Sequence, residues 1–517
     1  MLETPENVPM SAGIRPALGP RFACVAGLAL AFGLEAAENP PFPDDPFGTL
    51  KAVAPTPARS AQKPGLGDPC PADSRAGRSW SLLDIIDQAL CRNPQTRQAW
   101  ANARVQAAQL GVAEAAYLPT VNLNATFSHG RTGSGSSVQN QLQDQGFNQG
   151  QGFSGGSFTQ RDQTRITPSV SLNYLLFDFG GRAARVENAR AALDAANWSH
   201  ASTLQNVLFA AVQAYYQLFA ARSALEATEA SERSSEEAFK AAAVRYEVGA
   251  AALADKLQAQ TAYAQAKLNR QRAAGDAQNA LGVLANAMGL KPEASLDIEP
   301  PAFIEPDAER ERDVQALIEE AKALRPDLAA AEAQVRAAEA NVRSARSGSL
   351  PTLSLVSNYA YTDSSASRDF QSWSVGLQLS VPLFTGFANT YQIKSAEEQV
   401  AVQEASRARL DQSVALEVWR AYFDLNTTRE TLSSTDDLLA SATQTEKVAL
   451  GRYKAGAGSI LELLNAEAGL ANARLQHVQA RYNWHIGKAR LAQALGALDP
   501  AEIGAGSRTT GQKANLP

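Results

Sequence analysis

The sequence feature that most limits the fold is a helical pattern that continues without proline from Gly181 to about Val248. At ~1.5 Å per residue, a helix of roughly 68 residues would be roughly 100 Å long. A single globular core needs no helix of this length. The pattern therefore predicts long helices packed side by side, which suits a composition with only 7% aromatic residues.

A tight turn between two helices is predicted within the segment Gly451–Trp484. Gly456 and Gly458 favour the end of the first helix, because glycine adopts the left-handed and open conformations found there. Ser459 has the position of an N-cap, and Glu462 has the spacing of its capping-box partner. Apolar residues then recur in steps of three and four, which predicts a coiled-coil seam. The predicted seam consists of Leu461, Leu464, Ala468, Ala471, Leu475, Val478 and Tyr482.

The chain contains two copies of one architecture. The motif Leu118-Pro119-Thr120 recurs as Leu350-Pro351-Thr352 at an offset of 232, whereas Arg245-Tyr246 recurs as Arg452-Tyr453 at an offset of 207. The difference of 25 indicates extra residues in a Gly- and Gln-rich segment of the first copy, about 130–165, which is predicted as a loop or disordered excursion. A fixed helix length with a variable loop suggests that helix length is mechanically constrained.

Two shorter helices are predicted to match each long helix in length. The return arms, 252–288 and 459–496, would each extend over roughly 56 Å, and the helices before the strands, 95–117 and 327–347, over roughly 32–35 Å. Stacked end to end, one of each nearly equals a long helix. Each repeat is therefore predicted to supply one continuous and one composite helix.

Strand patterns follow both Leu-Pro-Thr motifs. Apolar residues alternate with Ser, Asn, Thr and Gln at 121–128, 169–176 and 373–383. The last of these alternates over about ten residues, the length of a tilted membrane strand. The residues predicted to face lipid in this strand are Trp373, Val375, Leu377, Leu379 and Val381.

Four such strands cannot close a barrel alone, because closure starts at about eight strands. Open edges are not tolerated in lipid. If these strands enter a bilayer, the protein must oligomerise, with the apolar face towards lipid and the polar face towards a wet lumen. Two copies would give eight strands and three would give twelve, and physical reasoning alone does not choose between them. A soluble sheet covering a helical coiled coil is the alternative.

The N-terminus is predicted to be an export signal, residues 1–37. Arg15 and Arg21 precede an apolar run, Phe22–Leu34, that is too short for an ordinary membrane-spanning helix. A signal anchor is the alternative. In an exported protein, Cys70 and Cys91 are predicted to form a disulfide, with two unpaired thiols as the alternative.

The composition and motifs argue against enzymatic and nucleic-acid-binding functions. The net charge of -6 is mild for 517 residues and does not indicate a nucleic-acid-binding surface. The four histidines are scattered without metal-ligand spacing, and no phosphate-binding loop or nucleophile motif is found. We therefore expect no enzymatic activity, no cofactor and no metal site.

The region from about Ser81 to Gly496 resembles the TolC family of outer-membrane efflux and secretion channels. The residues that carry the resemblance are the two Leu-Pro-Thr motifs, Leu176-Phe177-Asp178 and Pro382-Leu383-Phe384, the tips 245–249 and 452–456, and Ala480-Arg481-Tyr482-Asn483-Trp484. The resemblance implies an α+β membrane protein that forms a homotrimer, with a twelve-stranded outer-membrane β-barrel, four strands per protomer, continued by a long periplasmic α-helical barrel. It also implies a periplasmic adaptor and an inner-membrane ABC transporter or proton-driven pump as partners.

The resemblance also implies a gate and a docking surface at the helix tips. The gate positions fall on Asp255 and Tyr453, with Tyr246 as a further candidate. Both tyrosines can equally be aromatic residues that pack the tips, and for Tyr246 packing is the favoured interpretation. The family's arginine five residues after the tyrosine is Gly458 here, so that contact is missing or replaced. The residues implied for adaptor docking are Val248, Gly249, Ala250, Ala455, Gly456, Ala457 and Gly458.

An acidic ring at the tunnel entrance falls on Glu462, with Asn465 at its second position. Such a ring would favour cations. Glu462 and Asp255 can equally be acids that stabilise helix N-termini.

The expected function is an exit duct for type I protein secretion. The alternatives are the outer-membrane component of a small-molecule efflux pump and, more remotely, a soluble periplasmic coiled-coil adaptor. The expected domains are a signal peptide at 1–37, a Pro-rich linker at 38–80, a first repeat at 81–292, a linker at 293–312, a second repeat at 313–496 and a tail at 497–517.

Overall fold

The computed structural model describes residues 45–53, 79–134, 159–294, 296–301, 313–365 and 367–498. The chain forms two compact units, Met1–Thr49 and Leu50–Pro517. Of the first unit, residues 45–49 are described, and there the Gly48 amide donates to the Asp45 carbonyl at 3.2 Å. The predicted signal peptide, most of the Pro-rich linker and most of the tail lie outside the described residues.

The second unit contains the two predicted repeats, and each repeat carries a pair of strands and a long helical hairpin. A short 3-10 helix at Thr49–Ala52 begins at the boundary of the two units. The elements that follow are α1 (Leu82–Arg92), α2 (Pro94–Ala115), β1 (Thr120–Ser134), β2 (Thr159–Phe177), α3 (Gly181–Glu247), α4 (Leu253–Ala287), α5 (Val314–Leu324), α6 (Pro326–Ser347), β3 (Thr352–Ser364), β4 (Ser367–Ser380), α7 (Ala388–Lys454) and α8 (Ile460–Ala494).

The long helices α3 and α7 have equal lengths of 67 residues, or roughly 100 Å each. The predicted helix length is thereby confirmed. Helix α3 packs against its own return arm α4, against α2 and α6, and against α8 of the second hairpin. Among the described residues, no helix has both the length and the apolar composition required to cross a lipid bilayer.

The predicted end-to-end stacking of shorter helices is also found. The side-chain amide of Asn93, the N-cap of α2, donates to the carbonyl of Ala287 at the end of α4, at 3.1 Å. In the second repeat, the N-cap residue of α6 is Arg325, which donates to the carbonyl of Ala494 at the end of α8, at 3.2 Å. Each repeat therefore pairs one continuous helix with one composite helix.

The passage from strand to long helix is tightly held in the first repeat. The guanidinium of Arg182 donates to the carbonyls of Leu175 and Leu176, at 2.6 and 3.0 Å. The Asp178 carboxylate accepts from the Arg182 backbone amide at 2.7 Å. Both charged side chains are buried. Hydrogen bonds satisfy the two terminal guanidinium nitrogens, whereas Nε makes no hydrogen bond and lies 3.6 Å from the Asp178 carboxylate, so the two opposite charges compensate each other.

The strands form one antiparallel four-stranded sheet in the order β1-β2-β3-β4. The register places the predicted apolar residues on one face. This apolar band includes Val121, Leu123, Val170, Leu172, Leu353, Leu355, Leu377 and Leu379. The opposite face carries the alternating Ser, Asn and Gln residues, with Leu175 beside Ser354 as a break.

The loop boundaries predicted at 130–165 are wrong. Strand β1 continues to Ser134 and β2 begins at Thr159, with these two residues paired. Backbone ladder bonds do not depend on apolar alternation, so polar sequence can extend a hairpin that apolar residues begin. Residues 135–158 lie outside the described residues. Val381 was predicted as part of β4 but follows its last residue, Ser380.

The main core lies halfway along α3, where α1, α4 and α8 contribute to one cluster around Tyr215 and Leu218. The Tyr215 hydroxyl donates to the Glu299 carbonyl at 2.8 Å. Trp80 and Ile298 form an isolated parallel bridge, which ties the start of the first repeat to the segment after it. Cys91 is buried in α1 and disulfide-bonded. Cys70 lies outside the described residues, so its pairing with Cys91 stays a prediction.

The coiled-coil seam predicted for α8 is displaced. In the first three turns of α8 the buried residues include Ile460, Leu463, Glu467 and Leu470, whereas the predicted seam residues Leu461 and Leu475 are exposed. Both series follow the same step of three and four, and Ala and Leu are frequent on either face, so spacing alone did not separate them. Tyr482 is the predicted seam residue that is buried.

Candidate functional site

The candidate site is the region where the tips of the two helical hairpins meet. Gly249 and Gly456 have φ values of +73° and +74° and follow the ends of α3 and α7, as predicted for glycines that end helices. Ser459 caps α8, its hydroxyl accepting from the Glu462 amide at 3.2 Å. The predicted turn is thereby confirmed.

The two tips are joined by Arg245 and Tyr453. The guanidinium of Arg245 donates to the Tyr453 carbonyl at 2.6 Å. The same group lies over the Tyr453 ring, with the guanidinium carbon 4.9 Å from the ring centroid. Tyr453 is 4% exposed and packs in an apolar tip cluster. The cluster consists of Ala238, Ala242, Ala259, Ala449, Tyr453, Ile460, Leu463 and Ala466.

The hydroxyl of Tyr453 is buried and makes no hydrogen bond within the described chain. Burial raises the pKa of this phenol; the nearby Asp255 carboxylate raises the pKa further, and Arg245 opposes the shift. Asp255 and Tyr453, both predicted gate residues, are therefore close enough to interact electrostatically, but no hydrogen bond joins them here.

Asp255 instead stabilises the start of α4. Its carboxylate accepts a hydrogen bond from the backbone amide of the N-cap residue Ala252 at 3.3 Å. The reciprocal hydrogen bond of a capping box is not possible, because alanine has no side-chain acceptor. Tyr246 is exposed, and the Lys256 ammonium lies 5.3 Å from its ring centroid. Tyr246 thus lies on a different surface from the buried Tyr453.

Glu462 pairs with an arginine of its own hairpin. The Arg452 guanidinium lies 2.9 Å from the Glu462 carboxylate. The carboxylate therefore points to Arg452. Of the capping box predicted with Ser459, the hydrogen bond from the Glu462 amide to the Ser459 hydroxyl is formed, whereas the Glu462 carboxylate is used in the ion pair. Asn465 is exposed on the next turn of α8. The entrance ring stays a prediction, with Arg452 now identified as a cation that would offset it.

Sequence reasoning missed Glu467, a buried carboxyl close to the tip cluster. It is 9% exposed and accepts from the hydroxyls of Ser234 and Ser235 on α3, at 3.3 and 3.4 Å. Burial raises its pKa to about 7, the two serines oppose this shift, and Glu446 and Glu237 add to it. The signal in the sequence was the spacing of Leu463, Glu467 and Leu470, which places a glutamate on the same helix face as two leucines.

The residues predicted to dock an adaptor are on the outside of the tips. Val248 is 73% exposed, and Gly249, Ala250, Ala455, Gly456 and Ala457 are exposed as well. Gly458 is different. A Cβ atom added there would lie 3.2 Å from Arg452 Cβ and 3.3 Å from the Tyr453 nitrogen, so a side chain would press on the end of α7.

The predicted lipid-facing residues of β4 are exposed in the single chain. Trp373 is 76% exposed, and Val375, Leu377, Leu379 and Val381 are exposed too. Exposed apolar surface of this extent marks a site that contacts a membrane or another protein. Within the described parts of the chain, no group of three or more His, Cys, Asp and Glu residues is placed to hold a metal ion.

Comparison with known proteins identifies the family. The family described as outer membrane efflux protein matches residues 85–290 and 317–497. The chain belongs to this family. The matched ranges coincide with the two repeats, and the TolC-family resemblance is confirmed.

Individual members of the outer membrane efflux family match over most of the chain. Protein CyaE of Bordetella pertussis is 32% identical over 428 residues, 80% of this chain and 84% of CyaE. The alkaline protease secretion protein AprF of Pseudomonas aeruginosa is 27% identical over 440 residues, 82% of this chain and 85% of AprF.

A solved structure shows the same fold. The outer-membrane channel OprN superposes with a TM-score of 0.69 at 22% identity, covering 80% of this chain and 90% of OprN. As an outer membrane efflux protein, the chain is an outer-membrane channel with a long periplasmic portion and is not an enzyme. This localisation rules out the soluble periplasmic adaptor.

Proposed function

We propose that this outer-membrane channel is the exit duct of a tripartite export system and that its substrate is a protein, as in type I secretion. The similarity to AprF, which is described as an alkaline protease secretion protein, supports this branch. The family description as efflux protein favours a second candidate, the outer-membrane component of a small-molecule pump.

The edges of the four-stranded sheet support the proposal that three copies form a twelve-stranded barrel. Within the described chain, β1 and β4 are each paired on one side only, so each presents free backbone donors and acceptors to another strand. The apolar band would face lipid and the Ser, Asn and Gln face would line a water-filled lumen. The subunit number of three is taken from the family resemblance, because the eight strands of two copies would also be enough to close a barrel.

We propose that the hairpin tips close the periplasmic end of the helical barrel. Tyr453 and Asp255 are the proposed gate residues, and Tyr246 is a further candidate on the outer surface. Glu462, with Asn465 one turn on, is the proposed entrance ring. The buried position of Tyr453 between the hairpins supports a role in holding them together.

The proposed partners are a periplasmic adaptor protein and an inner-membrane ABC transporter or proton-driven pump. The tip residues from Val248 to Ala250 and from Ala455 to Gly458 form the proposed docking surface, and all of them except the half-buried Gly458 are exposed. Apart from Val248 they are glycines and alanines, which leave the backbone accessible and support close packing against helices of an adaptor.

Fractionation of cells that express the protein tests the proposal. The expected result is a detergent-extracted trimer in the outer-membrane fraction, with a mass three times that of the mature chain in native mass spectrometry. A dimer would overturn the twelve-stranded barrel. Gene deletion separates the two export candidates: loss of a protein from the culture medium supports secretion, whereas increased sensitivity to small toxic compounds with an unchanged secreted proteome supports the pump.

A further inference from the structure

Two arginines related by the internal repeat make different contacts. Arg245 and Arg452 occupy equivalent positions before the tips of the first and second hairpins. Arg452 stays within its own hairpin and pairs with Glu462 at 2.9 Å. Arg245 instead crosses to the second hairpin and contacts Tyr453. Of these two equivalent arginines, therefore, Arg245 contacts the other hairpin and Arg452 contacts its own.

The contacts of Arg245 converge on one residue. Its guanidinium donates to the Tyr453 carbonyl at 2.6 Å and stacks on the ring at 4.9 Å. Among the described residues, no carboxylate lies within ion-pair distance of Arg245. Charge-assisted hydrogen bonds are roughly twice as strong as neutral ones, and cations are favoured near the C-terminal carbonyls of a helix such as α7.

The position of Tyr453 depends on its ring and its backbone. The hydroxyl has no hydrogen-bond partner in the described chain, so it does not orient the side chain. The ring packs in the apolar tip cluster, which combines alanines such as Ala238 and Ala449 with the larger side chains of Ile460 and Leu463. Apolar contacts of this kind are non-directional, so the guanidinium supplies the directional contact to the ring and the carbonyl.

We propose that Arg245 is a positioning residue of the gate, which fixes the tip of the second hairpin against the first through the carbonyl and ring of Tyr453. This inference rests on the proposed gate at the tips. Separation of the hairpins requires this contact to break, and the freed guanidinium can then be solvated without leaving a buried carboxylate behind. The contact therefore contributes to the closed state and is readily reversible.

Single-channel recording in planar bilayers tests the role of Arg245. Arg245→Gln is expected to raise the ratio of open to closed states about tenfold, equivalent to about 1.4 kcal/mol. Arg245→Lys is expected to give a smaller increase, because an ammonium can still donate to the carbonyl but lacks the planar group that stacks on the ring. Arg233→Gln is the matched control, since Arg233 is an exposed arginine on the same helix.

A double-mutant cycle separates positioning from general damage to the tip. Tyr453→Leu removes the ring, so its effect and that of Arg245→Gln should be less than additive. Tyr453→Phe keeps the ring and the carbonyl, so Arg245→Gln should have its full effect in that background. Full additivity with Tyr453→Leu, an unchanged open-state ratio in Arg245→Gln, or an equal increase in Arg233→Gln would each overturn the inference.

The same recordings distinguish this inference from the gate itself. Tyr453→Phe and Asp255→Ala test closure through the hydroxyl and the carboxylate. If they leave conductance unchanged while Arg245→Gln raises it, the gate depends on Arg245 and not on Asp255. If they raise conductance and Arg245→Gln does not, the gate stands and the positioning role falls. If none of the variants changes the conductance, both proposals are wrong.

Discussion

The side-chain amide of Asn93 donates a hydrogen bond to the carbonyl of Ala287 at 3.1 Å, and so joins the start of one helix to the end of another. The Asn93 carboxamide oxygen also accepts from the Gln95 amide at 2.8 Å. One side chain thus satisfies a free donor of α2 and a free acceptor of α4. The second repeat achieves the same junction with Arg325 and Ala494, which shows that the junction is maintained although its chemistry differs.

Gly289 makes this junction possible, and substitution there should weaken it. Its φ is +71°, and an added Cβ would lie 2.6 Å from the Arg92 carbonyl oxygen. Gly289→Ala is expected to destabilise the protein by about 1–3 kcal/mol through backbone strain. Gly275→Ala, in open space within α4, should stabilise it by about 0.4–1 kcal/mol. Thermal unfolding in detergent, followed by circular dichroism, measures both, and equal midpoints for the two variants would contradict the prediction.

The two faces of β4 should respond differently to a positive charge. Leu377 belongs to the apolar band and Gln378 to the polar face. Leu377→Arg is expected to cost about 2–4 kcal/mol if the residue lies at the bilayer midplane. Gln378→Arg should insert normally, because a lumen-facing charge stays in water. The amount of heat-sensitive oligomer in the outer membrane reports insertion, and equal yields for the two variants would refute the lipid-facing assignment.

The packing of α8 on α3 should depend on pH through Glu467. Its pKa is raised to about 7 in the folded chain, so the folded state binds this proton more tightly than the unfolded state. The corresponding stability is fully present below the ordinary pKa of the carboxyl and is lost as pH rises through about 7. With about 1.36 kcal/mol per pKa unit, the loss is at most about 3 kcal/mol.

Unfolding midpoints at pH 5 and pH 8 measure the contribution of Glu467. Glu467→Gln should remove most of the decrease in stability seen between these values in the wild-type protein. Glu430→Gln, at an exposed position of α7, serves as the control and should keep the wild-type decrease. The charged groups acting on Glu467 are Glu237 on α3 and Glu446 on α7, and both are acids that increase the effect. If Glu467→Gln retained the wild-type pH dependence, Glu467 would not be its source.

The pair of Arg452 and Glu462 should set the charge preference of the entrance. Glu462→Gln is expected to weaken cation selectivity, whereas Arg452→Gln should strengthen it by freeing the carboxylate. The pair is exposed, and such pairs contribute only about 0.2–1 kcal/mol, so both shifts should be modest and should decrease with salt. Reversal potentials under a KCl gradient measure them. Shifts of the same sign in both variants would contradict an electrostatic role.

The sequence allowed prediction of the elements whose signals are local. Ser459 and Gly456 marked the second tip because capping and left-handed backbone are properties of single residues. The internal repeat allowed prediction of the composite helices, because in both copies the summed length of the two shorter helices nearly equalled that of the long helix. The alternation from Trp373 to Leu379 placed the apolar face of β4, since its period is fixed by strand geometry.

Features that depend on contacts between distant segments were not predictable from sequence. The role of Glu467 depends on Ser234 and Ser235, more than 230 positions away. Arg245 and Arg452 have equivalent local sequences but different partners, so only the packing of the hairpins distinguishes them. Gly458 was recognised as a departure from the family, and the structure supplies a steric reason, namely its closeness to the Arg452 and Tyr453 backbone.

The equal lengths of α3 and α7 restrict which insertions and deletions the gene can tolerate. One added residue in α3 would turn everything beyond it by about 100° and move it by about 1.5 Å. Arg245 would then point away from Tyr453 while the strands at the other end stayed in place. A length change is compatible with both ends only if it comes in whole helical repeats and in both long helices at once, so viable length variation should accumulate in the loops.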